Sequence, residues 1–243
     1  MQFLKDVAAY ATPPIAATLA LSASISPASA GSLLPGETFG TDGIYFLEDT
    51  TVTFNFDQTH GKYRSELKIF QVDGDTLNFE KLLFEEVKAY DDAPNQVLGE
   101  ANGWVGTCGN TVLTCEASFT FLANVEYTLG LVSVPGGTVY STTDLNPTDT
   151  QQAVFGSRGS IASFDGTLFP NPEDFTSIDP FADLPIELGF DDRGNGNDMD
   201  FQDMTLFAQA RRSSAAVPEP SVTLGLLSVS VLVGLRLRRH RSV

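Results

Sequence analysis

Two cysteines, two histidines and one tryptophan are all that 243 residues contain of the types that most often mark metal clusters, redox centres and ring-stacking sites. His240 lies in a basic tail, so a Cys/His zinc cluster is not available and any His-dependent catalysis would rest on His60 alone. Nothing around Thr59-His60-Gly61 forms a catalytic signature, and His60 reads as an exposed turn residue. Gly-x-Ser-x-Gly elbows, His-Glu-x-x-His helices and phosphate-binding glycine loops are absent as well. The chain therefore reads as a non-enzyme. A carboxylate pair for glycoside hydrolysis stays open as an alternative, because that reaction needs just two acids at a set separation. Bases are scarce too: 14 Lys and Arg against 31 Asp and Glu give a formal charge of -17, which argues against nucleic acid and anionic membrane surfaces as partners. With 42% hydrophobic residues and 19% charged, the chain can bury a core.

Both ends carry processing signals. Residues Val7 to Ile25 are rich in Ala, Leu and Ile and lead to Ala28-Ser29-Ala30, whose small residues at Ala28 and Ala30 suit a signal peptidase cleft; residues 1–30 are read as a signal peptide. Pro218-Glu219-Pro220 precedes an apolar run, Ser221 to Leu235, closed by Arg236, Arg238, Arg239 and Arg241. As a helix that run spans roughly 22 Å at about 1.5 Å per residue, short of the ~30 Å hydrocarbon core, so it suits a transient anchor. The arginines would stay cytoplasmic, leaving everything before Pro218 outside the inner membrane.

This tripartite tail resembles the PEP-CTERM sorting signal of Gram-negative bacteria and cyanobacteria. The resemblance implies an exosortase-type membrane transpeptidase as partner, removal of the helix, and delivery to the cell surface, the exopolysaccharide matrix or the medium.

Residues 31–210 are read as one domain and 211–217 as a linker before the sorting signal at 218–243. Val52, Phe54 and Phe56 alternate with Thr51, Thr53 and Asn55, and Tyr127, Leu129 and Leu131 alternate with Glu126, Thr128 and Gly130. Phe119 and Phe121 follow the same rule, the mark of half-buried strands. Further strands are expected at Ile44 to Leu47, Glu66 to Val72, Thr138 to Ser141, Ala153 to Phe155, Ile186 to Phe190 and Met204 to Gln209. Short strands separated by Gly, Pro, Asn and Asp predict an all-β, antiparallel β-sandwich of jelly-roll or Ig-like kind. Phe79, Leu82, Leu83, Val87 and Tyr90 recur at three to four residues, which leaves room for one short helix within Leu77 to Tyr90. Cys108 and Cys115, in a turn-rich segment of an exported chain, are expected to form a local disulfide that pins a loop.

Eleven carboxylates fall between Asp165 and Asp203 against a single base, Arg193. The densest stretch, Gly189 to Asp203, points to a hard cation with several oxygen ligands, and calcium is the expected ion. Its candidate ligands are Asp191, Asp192, Asn195, Asn197, Asp198, Asp200 and Asp203. The EF-hand pattern does not fit, since from Asp191 it meets Arg193 at the third position and Gln202 at the twelfth. The segment resembles the C-terminal motif of the bacterial domain of unknown function 4114, through Gly189, Phe190, Asp191, Asp192, Gly194, Gly196, Asp198, Asp200, Phe201 and Asp203. It departs at Gln202, where that pattern has Asn. The resemblance implies a β-rich surface module and no activity. Trp104, in Gly103-Trp104-Val105, is read first as core beside the disulfide, with sugar stacking by a carbohydrate-binding module as the alternative.

Overall fold

Val52, Phe54 and Phe56 all turn inward and are almost fully buried while Thr51, Thr53 and Asn55 face outward, the period of two that an extended strand imposes. The computed structural model describes residues 31–61, 63–87, 105–134, 136–161, 171–192 and 199–213. Among them twelve strands run in chain order as β1 (Thr38–Gly40), β2 (Gly43–Tyr45), β3 (Thr50–Thr59), β4 (Arg64–Asp73), β5 (Thr76–Glu85), β6 (Gly106–Thr107), β7 (Glu116–Phe121), β8 (Glu126–Val134), β9 (Gly137–Tyr140), β10 (Ala153–Ser157), β11 (Ile186–Phe190) and β12 (Met204–Arg212). The last strand thus extends two residues past 210.

All strand pairings are antiparallel, in two six-stranded sheets. One has the order β1-β2-β8-β4-β5 with β9 beside β8; the other runs β10-β11-β12-β3-β6 with β7 also on β3. Consecutive strands β3 and β4 belong to different sheets, so the chain crosses over the core rather than meandering along one layer. A single hydrophobic cluster joins both inner faces, with Val52, Phe54, Leu188, Leu206 and Ala208 from one sheet and Leu67, Ile69, Leu129 and Leu131 from the other. Small residues oppose large ones across β3 and β12, Ala208 facing Phe54 and Ala210 facing Val52. Edge-to-face rings fill the space between sheets, among them Phe121–Tyr127 at 5.1 Å, Phe56–Phe84 at 5.7 Å and Phe46–Phe121 at 5.8 Å.

Most of the expected strands are present, but the short helix expected within Leu77 to Tyr90 is not: Thr76–Glu85 is a strand. Its pairing with β4 slips twice, since Phe70 faces Phe79, Ile69 faces Lys81, Lys68 faces Leu82 and Leu67 faces Phe84. Glu80 and Leu83 are the extra residues. Each bulge shifts the alternation by one position, so apolar side chains fall two or three apart and imitate a helical period.

Cys108 and Cys115 form the expected disulfide, Cα atoms 5.5 Å apart, and the Cys115 carbonyl accepts a hydrogen bond from the Phe56 N–H at 2.9 Å. The bond ties the segment after β6 to the entry of β7. Near the first strand, Glu37 and Arg212 make a bidentate pair at 2.9 and 2.7 Å, and the same carboxylate accepts the N–H groups of Leu34 and Leu47 at 2.7 and 2.8 Å. Arg212 also lies 4.5 Å over the Phe181 ring. This knot fastens the segment before β1 to the last strand.

Candidate metal centre

Strand β11 ends at Phe190, and the next two residues, Asp191 and Asp192, sit at the sheet end where the chain returns through Met199–Asp203 into β12. Two features shape that return. Met199 and Phe201 adopt left-handed φ values of 58° and 55°, a conformation costing about 1–3 kcal/mol each for a residue with a side chain. Phe201 offsets this by burying its ring completely, in a small satellite core with Val154 and Ile161. Glycine at 189 is required by the same packing, because a Cβ there would lie 2.4 Å from the Phe201 carbonyl oxygen. The Gly189-Phe190-Asp191-Asp192 motif is thus a close crossing of two backbones that positions carboxylates.

Asp191, Asp192, Asp200 and Asp203 are each at least 94% buried. The Asp192 N–H donates to the Asp203 carboxylate at 2.5 Å and the Met199 N–H to that of Asp191 at 2.8 Å. Asp200 receives both the backbone N–H and the side-chain amide of Gln202. The end of β3 closes the other side: the Thr59 hydroxyl donates to the Asp203 carbonyl, the His60 N–H to the Gln202 carbonyl at 3.0 Å, and a Cβ on Gly61 would come within 3.0 Å of the Asp203 carbonyl oxygen. Burial pushes the Asp203 carboxyl well above the usual carboxylate range, and the charges of Asp192, Asp191 and Asp200 push it further, against a single lowering contact from the Asp192 N–H. Asp203 is therefore a desolvated acid facing three others.

His60 is 4% exposed, which corrects its reading as an exposed turn residue; it follows β3 directly and is covered by the Asp200–Asp203 return. Asp200 is buried as well, at 6% exposed. Gln202, 2% exposed, belongs to this acidic cluster although the spacing pattern marked it as a departure, and Gln152, whose carbonyl accepts the Asp191 N–H at 3.1 Å, carried no signal in the sequence at all. Of the other expected ligands, Asn195, Asn197 and Asp198 lie outside the described residues. So do Trp104, the cleavage residues Ala28 and Ala30, and the tail residues Pro218, Glu219, Pro220, Arg236, Arg238, Arg239 and Arg241.

Among the described residues, no group of three or more Asp, Glu, His or Cys side chains is arranged to hold a metal ion. The carboxylates of Asp191, Asp200 and Asp203 are turned instead towards N–H donors of the same loop. Two observations nevertheless fit a hard cation. Asp203 is buried among like charges, and Gln202 Oε1 is a buried carbonyl oxygen with no hydrogen-bond partner. Both would be met by an oxygen-seeking divalent ion. No protein-family model matches the chain, and neither a curated protein nor a solved structure shows significant similarity to it.

Proposed function

We propose that this chain is an exported cell-surface or matrix module, a sandwich of jelly-roll or Ig-like kind whose strand ends are held by calcium, acting in structure or adhesion rather than catalysis. The observation that carries the calcium part is the burial of Asp203 beside Asp191, Asp192 and Asp200. An ion bound there would neutralise charges that otherwise repel across a dry site. Asp191, Asp192, Asp200 and Asp203 would hold it. Calorimetric titration of the purified chain with calcium chloride tests this: binding heat and a calcium-dependent rise in melting temperature are expected, and the absence of both refutes it.

Export rests on the two tails and on their resemblance to PEP-CTERM processing by signal peptidase and an exosortase-type transpeptidase, with transient anchoring in the inner membrane. Intact-mass measurement of the native protein is decisive, since a mature species retaining Ser221 to Val243 contradicts removal of the helix.

A second reading, saccharide binding with exopolysaccharide as the matrix partner, is favoured by one feature. Tyr140, Phe70 and Phe79 form a row of rings across β9, β4 and β5, spaced 5.9 and 6.2 Å, on the outer sheet face. Gly130 leaves the slot for it, because a Cβ there would meet Phe70 at 2.6 Å. Phe79 is 57% exposed. Replacing Phe79 by Ala should abolish retention on the organism's exopolysaccharide if the row stacks on sugar rings, and unchanged retention rules that role out.

A further inference from the structure

The outer face of the sheet that carries β3 is polar and in register across three strands. Residues paired across β12, β3 and β7 share one side of the sheet: Thr53 faces Gln209 on β12, Asn55 faces Glu116 on β7, and Thr51 faces Arg211 on β12. Thr53, Asn55, Glu116, Gln209 and Arg211 together line a cavity of about 300 Å³, within the size range of ligand pockets. Its polar groups keep capacity for a partner. The Thr53 hydroxyl meets Ser118 Oγ at 3.0 Å, and Gln209 Nε2 is turned to the backbone carbonyls of Ala182 and Asp183 at 3.4 Å, which leaves Gln209 Oε1 to accept. The Asn55 amide makes no hydrogen bond among the described residues.

Charge on this face runs against the rest of the chain. Acids outnumber bases 31 to 14, and of the six Lys and Arg among the described residues Arg64, Lys68 and Arg212 are paired with carboxylates. Lys81, Arg158 and Arg211 have no carboxylate at ion-pair distance among the described residues, and all three lie on or beside this face. Arg211 lines the cavity, Arg158 lies 4.9 Å over the ring of Phe207, which pairs with Asn55, and Lys81 donates to the Ser118 carbonyl at 2.8 Å. On a molecule of formal charge -17, three unpaired cations gathered on one face favour an anionic ligand there.

We propose that this face binds an acidic saccharide, a uronate unit of a polymer, with the Arg211 guanidinium forking onto the carboxylate and Thr53, Asn55 and Gln209 meeting ring hydroxyls. A guanidinium suits a carboxylate because its parallel N–H donors match the two oxygens. Sugar hydroxyls both donate and accept, and the cavity offers both, with the Asn55 amide to donate and the Glu116 and Gln209 oxygens to accept. The Glu116 carboxylate disfavours a phosphate dianion, and the overall charge disfavours nucleic acid. This face belongs to the sheet opposite the rings of Tyr140, Phe70 and Phe79, and the proposal depends neither on them nor on calcium.

The test uses the full chain in mild detergent with EGTA throughout, so that calcium cannot bridge protein and sugar. Tetragalacturonate is titrated calorimetrically, with cellotetraose as the neutral control and inorganic phosphate as the anion without a sugar. Wild type should bind tetragalacturonate, more weakly as sodium chloride is raised, and Arg211→Gln should bind at least about tenfold more weakly with its melting temperature unchanged. Cellotetraose bound as tightly, phosphate competing at equal concentration, or unaltered affinity in R211Q each overturns the assignment. Absence of binding by wild type overturns it too, and leaves the calcium reading and the ring row to their own assays. If R211Q does not fold, Asn55→Ala decides: binding at least about threefold weaker supports the site, and unaltered affinity overturns it.

Discussion

Replacing Asp203 by Asn should change sign with the calcium concentration. Asn keeps the volume and an oxygen to accept the Asp192 N–H, while removing a buried carboxyl that faces three others. Without calcium, wild-type stability associated with this group is present at low pH and is lost as pH rises through its elevated pKa, because the folded state must then give up a proton it holds more tightly than the unfolded chain does. D203N has no such proton to lose. In EGTA at pH 7.5 it should melt at or above the wild-type temperature, with a flatter pH dependence above the ordinary Asp range. In calcium the order reverses. If the site binds with a Kd of about 10⁻⁴–10⁻³ M, as extracellular calcium modules do, 10 mM calcium stabilises the wild type by about 1.4–2.7 kcal/mol. For a domain of this size that is about 3–11 °C, and D203N should gain little of it. Differential scanning calorimetry on both proteins in both buffers gives the four values required. A loss in D203N that is the same in EGTA and in calcium would show that Asp203 only caps the Asp192 N–H, and the cation argument would fail.

The Glu37–Arg212 pair should be asymmetric. Arg212→Met strands a buried carboxylate and is expected to cost about 3–5 kcal/mol in urea unfolding, whereas Glu37→Gln, which leaves the guanidinium able to reach water, should cost less. For Glu37, burial pushes its pKa up, but hydrogen bonds from Arg212, Leu34 and Leu47 and the Arg212 charge outweigh this and hold it below its ordinary value. Its stabilisation is therefore present above the usual Glu range and fades as pH falls through the depressed value; unfolding curves from pH 7 to 3 should show the loss in wild type and not in E37Q. Replacing Cys108 and Cys115 by Ser should lower stability by about 2.5 kcal/mol on the loop-entropy account without unfolding the domain, read from the urea midpoint. Gly189→Ala forces a methyl against the Phe201 carbonyl and Ile161, and a loss of about 1–3 kcal/mol together with weakened calcium binding is the expected calorimetric result.

Alternation alone located β3, β8 and β11: β3 buries one face and half-exposes the other, and β8 and β11 keep apolar residues at every second position although the residues between them are mostly buried too. It failed at β5, where two bulges against β4 break the period of two; a bulge is a property of a strand pair and has no signature in one strand's sequence. The disulfide was legible for the opposite reason, being local in the chain. At the acidic site, composition and the Gly-Phe-Asp-Asp spacing named Asp191, Asp192, Asp200 and Asp203. They could not show that these acids are buried, that His60 and Gly61, just past a strand more than a hundred residues earlier, close over them, or that Gln202 carries a buried oxygen with no hydrogen-bond partner. What the linear order determined is which groups are available and how the two ends are addressed. Only the folding of β3 against β12 decided which of those groups lose their water, and it is desolvation, a collective property of the packed neighbours, that turns a run of soluble aspartates into a place with a use for a cation.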